Sequence, residues 1–211
     1  VDRFAIGATS IGDDLANIYN VEKKFAVKNP LIFYQSNFLW MQNVEGAVFL
    51  AKEVFPLIRK VYPDARCRII GQNARTNAHF KVNELESEGV EVIEQDKSDV
   101  EAVVRSYDEG TIFVAPLHGP GGTRLKILGA MSAGVPVVTT PVGASGLEVT
   151  NGENILIGET PKEIAELVIR LIKDKKLFKK IVENAKNLIK ERYDWKAIAI
   201  DLSKIYESAK T

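Results

Sequence analysis

A glycine-rich segment with two cations is the part of this sequence best suited to bind a ligand. It runs His118-Gly119-Pro120-Gly121-Gly122-Thr123-Arg124-Leu125-Lys126. Glycines let a backbone turn tightly and let a ligand approach it closely. Arg124 and Lys126 add positive charge where a helix is expected to begin, and helix starts already favour anions through their N–H groups and dipole. The segment therefore predicts a site for phosphate or another anion; the alternative is an ordinary connection with a solvated basic pair.

A strand and a helix are needed to hold this loop. Residues 111–115 are β-branched and aromatic and end at Pro116, which is typical of a strand. After the loop, Leu125, Leu128 and Met131 recur at helical spacing. The glycines thus connect the end of a strand to the start of a helix.

Strands and helices alternate along the rest of the chain. Short apolar runs predict strands at 31–36, 66–71, 90–93, 111–115, 136–139 and 155–157. A loop with Asn37, Trp40 and Asn43 is expected to follow the first strand. Residues 1–30 lack clear periodicity, and we expect a lead-in or linker segment with one short helix at 13–19, followed by a single domain over 31–211.

Helical periodicity and capping residues predict the helices. Residues 44–61 fit a helix with a kink or break at Pro56, and residues 76–87 fit an exposed amphipathic helix. Ser98 and Glu101 predict a capping box for a helix that ends near Tyr107. Thr160-Pro161 and Glu163 predict the start of three carboxy-terminal helices, at 163–173, 176–191 and 195–210.

This alternation predicts an α/β fold with a doubly wound parallel sheet, Rossmann-like, with extra carboxy-terminal helices. Ligands of such sheets bind beyond the carboxyl ends of the strands. That rule places one set of residues along a single edge: Ser36, Gly71, Gln95, the loop at 118–126 and Gly143.

Composition excludes several classes of function. The 28 basic and 28 acidic residues cancel, so charge gives no argument for nucleic acid or an anionic membrane surface. Cys67 is the single cysteine and lies in a predicted strand, which indicates a buried structural thiol. Two histidines and the lack of CxxC or HExxH patterns predict no metal site.

The sequence also carries expectations about location. No apolar run is long enough to span a bilayer and no signal-peptide pattern is present, so we expect a cytoplasmic protein; peripheral membrane association stays open. The chain does not begin with methionine, which suggests a piece of a longer protein.

Residues 115–138 resemble the donor-binding motif of group 1 glycosyltransferases with the GT-B fold. The likeness extends back through Trp40, Asn43 and 69–71, and forward through Gly143 and 193–195. It implies that this chain is the nucleotide-sugar-binding half, that a separate amino-terminal domain binds the acceptor, and that the final helix crosses back to that domain. The implied donor and phosphate contacts are His118, Gly121, Gly122, Thr123, Arg124 and Lys126, and the implied cleft-lining residues are Ser36, Asn43, Gly71, Gln95, Gly129 and Gly143.

The chain departs from the family pattern at several of these positions. The family usually carries a glutamate that holds the ribose where this chain has Gly129. Related members have glycine at the positions of Ser36 and Gln95. They have proline and glutamate at those of Gln42 and Ser145. Several changes around one cleft suggest a weakened, altered or abandoned donor site, although the glycine loop and both cations are present.

Two functions follow from the resemblance. The first is the donor-binding half of a glycosyltransferase, retaining and metal-independent, that uses a nucleotide sugar and no cofactor. Arg124 and Lys126 would neutralise the leaving diphosphate, and the chain alone would not turn over. The second is a non-catalytic nucleotide-binding or docking module of the same fold.

Other side chains leave their roles open. His118 fits a phosphate or sugar contact or a structural loop position. Trp40 and Trp195 fit stacking platforms or anchors in the core or between domains. Glu94, Asp96 and Asp99 lie near the predicted cleft, but none has a partner carboxylate at a fixed spacing, so the catalytic residues stay unassigned.

Overall fold

Six parallel strands form one sheet. The computed structural model describes residue 25 and residues 28–96, 99–119, 122 and 124–208, with only the backbone at 195, 196, 201 and 208. The order across the sheet is β3-β2-β1-β4-β5-β6. The strands are β1 (Leu31–Gln35), β2 (Arg66–Gly71), β3 (Val90–Glu94), β4 (Ile112–Ala115), β5 (Val137–Thr139) and β6 (Leu156–Ile157). The predicted doubly wound parallel sheet is confirmed.

Helices flank the sheet. They are α1 (Met41–Phe49), α2 (Phe55–Val61), α3 (Val100–Glu109), α4 (Leu125–Ser132), α5 (Pro141–Ala144), α6 (Pro161–Lys173), α7 (Lys175–Leu188) and α8 (Trp195–Ser208). A π-helical segment, Leu50–Val54, joins α1 to α2, and another, Ile189–Tyr193, follows α7. In the described parts of the chain no helix combines the length and apolarity needed to cross a bilayer.

The sheet is buried on both faces. Strands β1 and β4 are central and almost wholly inaccessible, with Ile32, Phe33 and Phe113 fully buried. Helix α4 packs against β4 and β5 and against α7, whereas α2 packs against α6. Cys67 in β2 is fully buried, and burial raises the pKa of its thiol, as expected for a structural cysteine. Since the strand order reverses between β1 and β4, the carboxyl edge opens into a crevice there.

The predicted helix over 76–87 is wrong. Only a short 3-10 helix, Val82–Leu85, forms in this region. Upstream of it, the Glu94 carboxylate accepts hydrogen bonds from the backbone N–H groups of Asn73, Arg75 and Thr76. The Asn77 side chain accepts from the N–H groups of His79 and Phe80. These two side chains, one distant in sequence and one local, satisfy backbone donors that a helix would otherwise use.

The helix that follows β1 starts earlier than predicted. It begins at Met41, so Asn43 lies in its first turn and not in a loop. The regular α-helix is interrupted by the π-helical segment Leu50–Val54, and Pro56 stands in the first turn of α2 directly after it, in line with the predicted break between two segments.

Helix starts elsewhere also differ from the predictions. Asp99 caps α3 by accepting from the N–H of Ala102, and Ser98 lies outside the described residues. Helix α5 was not predicted, whereas the predicted capping box of Thr160 and Glu163 at α6 is confirmed. The predicted helix at 13–19 also lies outside the described residues.

Gly71 is needed where β2 ends. Its φ is +146°, and a Cβ atom there would lie 1.7 Å from the carbonyl oxygen of Ser36. We expect Gly71→Ala to lower the free energy of unfolding by about 2–3 kcal/mol, measured by chemical denaturation. Gly152→Ala is the matched control, since Gly152 has φ +78° and a Cβ atom at that position would meet nothing within 4 Å. Equal losses in both variants would show that the contact with Ser36 is unimportant.

Candidate functional site

The ammonium group of Lys126 lies at the crevice between β1 and β4. Its Nζ atom donates to Ser36 Oγ at 2.6 Å, to Asn43 Oδ1 at 2.6 Å and to the Tyr34 hydroxyl at 3.3 Å. The Asn43 amide nitrogen donates to the carbonyl of Asn37 at 2.7 Å, which turns its oxygen toward the lysine. In the described part of the chain Lys126 has no carboxylate partner, so its charge is balanced only by neutral oxygens.

Arg124 is a second buried cation beside it. Arg124 is only 8% exposed, and its Nη2 atom donates a hydrogen bond to the carbonyl of Val142 at 2.9 Å. This hydrogen bond links the start of α4 to α5. No side chain of the described residues caps α4, so its first N–H groups and its dipole add positive charge at the end of the helix that carries the two cations.

Burial and the like charge of Arg124 make the ammonium form of Lys126 unfavourable without an anion beside it. Desolvation lowers the pKa of Lys126 to about 7, and the nearby charge of Arg124 acts in the same direction. Burial also lowers the pKa of Arg124. An anion placed between them would offset both costs.

Two cavities adjoin Lys126 in the described structure. The first, of about 410 Å³, is lined by Gln35, Ser36, Asn37, Asn43, Gly71, Gln72, Gln95, Asp96, Val103, Tyr107, Leu125, Lys126 and Gly129. The second, of about 380 Å³, is lined by Trp40, Gln42, Asn43, Leu117, Gly122, Arg124 and Lys126. Because Asn43 and Lys126 line both, the lysine lies at the boundary between the two spaces.

Most of the predicted site residues come together here. Ser36, Asn43, Gly71, Gln95 and Gly129 line the first cavity, and Gly122 and Arg124 line the second. Gly121 and Thr123 lie outside the described residues.

Two predicted site residues lie elsewhere. The ring of His118 packs on Phe49, with centroids 4.5 Å apart, and lines neither cavity. Gly143 is buried with its N–H bonded to Thr140, and a Cβ there would lie 2.0 Å from Thr139 Oγ1. Gly143 thus serves the packing of α5 and does not line the cleft.

The carboxylates near the cleft are mostly structural. Glu94 holds the turn at 73–76, and Asp99 caps α3. Asp96 alone of the three lines the first cavity. Among the described residues, no three His, Cys, Asp or Glu side chains are grouped so that they could hold a metal ion.

Comparison with known proteins decides the family. Residues 29–174 match the family described as glycosyl transferases group 1. The chain belongs to this family.

Curated relatives of this group 1 glycosyltransferase chain are longer than it is. A protein of the cps region of Klebsiella pneumoniae is 26% identical over 181 residues, which are 83% of this chain and 45% of that protein. An uncharacterized glycosyltransferase of Methanocaldococcus jannaschii is 33% identical over 113 residues, which are 53% of this chain and 29% of that protein. The chain therefore spans less than half the length of these relatives.

Solved structures show the same fold. The carboxy-terminal domain of a group 1 glycosyl transferase from Francisella tularensis is 23% identical with a TM-score of 0.62, covering 92% of this chain and 98% of that one. Anabaena HepE, solved with UDP and glucose, is 16% identical with a TM-score of 0.66, covering 94% of this chain and 53% of that one. This group 1 chain thus has the architecture of a carboxy-terminal GT-B domain.

Sequence reasoning about this glycosyltransferase domain missed two side chains. Tyr34 is part of the hydrogen-bonded group around Lys126, and Gln35 lines the first cavity. Both end strand β1, so the rule that ligands bind beyond strand ends points to them as well as to Ser36. Trp40 is 59% exposed and lines the second cavity, so it is not a core residue.

Proposed function

We propose that this chain is the donor-binding part of a glycosyltransferase that moves a sugar from a nucleoside diphosphate to an acceptor. The acceptor is held by a separate domain, and residues 31–211 form the donor domain. The reaction retains the anomeric configuration, and it uses neither a metal ion nor a cofactor beyond the donor itself.

The observation that carries this proposal is the placement of Lys126 and Arg124. The two buried cations lie where two cavities meet, and Lys126 is balanced only by neutral oxygens among the described residues. In a nucleotide sugar, a diphosphate connects the nucleoside to the sugar. A protein that binds such a donor needs one cavity for each of these groups and positive charge between the two cavities. The nucleoside occupies the cavity lined by Gln95 and Gly129, and the sugar occupies the one lined by Trp40.

Catalysis by this domain is electrostatic. As the bond between the anomeric carbon and the diphosphate oxygen breaks, negative charge grows on the leaving diphosphate. Lys126, Arg124 and the N–H groups at the start of α4 stabilise that charge, and such donors are worth most where water is excluded. The acceptor hydroxyl forms the new bond to the same carbon, and its proton is taken by a group outside this chain.

The relatives support transfer over a non-catalytic role. The Methanocaldococcus protein is named a glycosyltransferase, and a Mycobacterium leprae relative, 23% identical, is named a phosphatidyl-myo-inositol mannosyltransferase. The substitutions at Ser36 and Gln95 do not remove polar groups from the cleft. Ser36 accepts from Lys126, and Gln95 donates to Ser106.

Calorimetric titration of the chain against pyrophosphate and a panel of nucleoside diphosphates tests the proposal. We expect saturable binding of a nucleoside diphosphate that weakens as salt is added, because salt screens the attraction between the charged ligand and the cations of the protein. Absence of binding by every member of the panel, including pyrophosphate, would overturn the donor-site assignment.

The pKa of Lys126 predicts how this binding depends on pH. In the free protein the pKa is about 7, and a bound diphosphate stabilises the ammonium form. Affinity is therefore greatest where Lys126 is already protonated. It falls as the pH rises above about 7, by at most about tenfold per pH unit. Tyr34, whose pKa is raised by burial, keeps its proton over this range.

Titration with pyrophosphate between about pH 7 and about pH 9 measures this dependence. The Lys126→Met variant should bind more weakly and should lose the fall in affinity that Lys126 causes, so the difference between the two profiles isolates the lysine from the ionisation of the ligand itself. Parallel profiles in the two proteins would show that Lys126 does not titrate on binding.

A further inference from the structure

Three polar side chains form a chain of hydrogen bonds in the wall of the first cavity. The Gln35 amide nitrogen donates to Gln95 Oε1 at 2.7 Å, and the Gln95 amide nitrogen donates to Ser106 Oγ at 3.5 Å. Ser106 in turn donates to the carbonyl of Ala102 at 2.8 Å. Gln35 ends β1, Gln95 follows β3 and Ser106 lies in α3, so the chain crosses the nucleoside side of the crevice.

The Ala102 carbonyl fixes which atom donates and which accepts in each of these hydrogen bonds. A backbone carbonyl can only accept, so the Ser106 hydroxyl must give its proton to Ala102. Ser106 then accepts from Gln95, which must present its nitrogen there and its oxygen to Gln35. Gln35 must therefore present its nitrogen to Gln95, so the orientation of both amides follows from the network.

One hydrogen-bond acceptor of this network has no donor among the described residues. Gln35 Oε1 is buried and accepts no hydrogen bond from the described residues. A buried polar atom without a partner costs free energy, and such atoms are rare in folded proteins. The terminal torsion of a glutamine is broad, so a modest rotation presents this oxygen to the cavity that Gln35 lines.

The cavity is suited to a flat, partly apolar ligand group. Val103 and Tyr107 of α3 and Leu125 of α4 give it apolar walls. Gly129 lines the same space and, as a glycine, adds no side chain to it. The amide groups of Gln35 and Gln95 supply the polar contacts, and a few polar groups in a mostly apolar pocket are typical of sites for small ligands.

From these contacts we infer that Gln35, held by Gln95, binds the nucleoside of the donor by taking a hydrogen bond from a ribose hydroxyl or a base N–H group. This inference rests on the proposed function, because it assigns the first cavity to the nucleoside. The ribose hydroxyl and the base N–H group are both hydrogen-bond donors on the nucleoside. Nucleotide analogues that lack one or the other distinguish between them.

The test compares UDP with pyrophosphate in the chain and in Gln35→Met. Methionine keeps the length of the side chain and removes the amide. UDP should bind the variant roughly 2- to 12-fold more weakly, as expected for the loss of one neutral hydrogen bond. Pyrophosphate, which lacks a nucleoside, should bind both proteins equally. Gln95→Met should weaken UDP binding in the same way. It replaces Gln35→Met in the test if thermal unfolding shows that Gln35→Met does not fold.

Two kinds of UDP analogue identify the hydrogen-bond donor. If the ribose supplies it, 2′-deoxy-UDP or 3′-deoxy-UDP will bind equally to the unsubstituted chain and to Gln35→Met. If the base supplies it, N3-methyl-UDP will do so. Equal UDP binding by all three proteins would overturn the role of Gln35. By contrast, if the unsubstituted chain binds neither pyrophosphate nor any nucleoside diphosphate of the panel, the proposed function itself is overturned.

Discussion

On the proposed function, replacing Lys126 by methionine in an enzyme that also contains the acceptor domain, here called the full-length enzyme, is expected to lower kcat/KM by about 100- to 1000-fold. Removing one donor that stabilises charge in the transition state typically has an effect of this size. The geometry supports so large a loss of kcat/KM. Lys126 lies at the boundary of both cavities, and among the described residues its positive charge is balanced by neutral oxygens alone. A phosphate oxygen can replace the longest of its contacts, the one to Tyr34 at 3.3 Å.

Steady-state kinetics with the donor and acceptor of the full-length enzyme measure this change. Lys179→Met is the matched control, because Lys179 is an exposed lysine of α7 and lines neither cavity. It should leave kcat/KM unchanged. A Lys126→Met enzyme that folds and keeps full activity would remove Lys126 from the mechanism.

Local patterns were enough to predict the sheet. The strands predicted at 31–36, 66–71 and 90–93 agree with the structure to within one residue at each end. Short apolar runs of β-prone residues between turns are typical of buried strands. The same holds for the capping box of Thr160 and Glu163, whose two hydrogen bonds join residues three apart. Where the structure is set by neighbours in the chain, the sequence is informative.

Contacts between distant residues could not be predicted in this way. The helix expected at 76–87 is replaced by a turn that depends on Glu94, 21 residues after Asn73 and 19 after Arg75, so no local periodicity could reveal it. The partners of Lys126 on β1 and α1 are 83 to 92 residues away in sequence. Only the general rule for parallel sheets placed them at the same edge.

The substitutions relative to the family pattern have a different meaning once the contacts are known. From sequence, Ser36 and Gln95 counted as losses of family glycines. In the structure Ser36 accepts from Lys126 at 2.6 Å and Gln95 joins Gln35 to Ser106. Gly129 opens the same cavity that these side chains make more polar. These three changes thus concern one space and favour an altered donor site over an abandoned one.

Gly129→Glu is expected to tighten binding of a nucleoside diphosphate by about 1.5–3 kcal/mol, the value of a good hydrogen bond to a charged group. The family usually has a glutamate here that holds the ribose, and Gly129 lines the cavity that we assign to the nucleoside. The new carboxylate would lie three residues after Lys126 in α4, so it would also raise the pKa of that lysine. Pyrophosphate, which has no ribose, should bind the variant equally or more weakly, because the added carboxylate repels it.

Gly129→Ala separates ribose contact from helix rigidity. Alanine favours a helix by about 1 kcal/mol over glycine, so this variant should raise the free energy of unfolding without raising affinity. Titration calorimetry and chemical denaturation of the three proteins give both quantities. Equal gains in affinity from alanine and glutamate would show that rigidity is the cause. A gain with glutamate alone, seen for the nucleoside diphosphate and not for pyrophosphate, would place the ribose beside α4, because only the nucleoside ligand can use the added carboxylate.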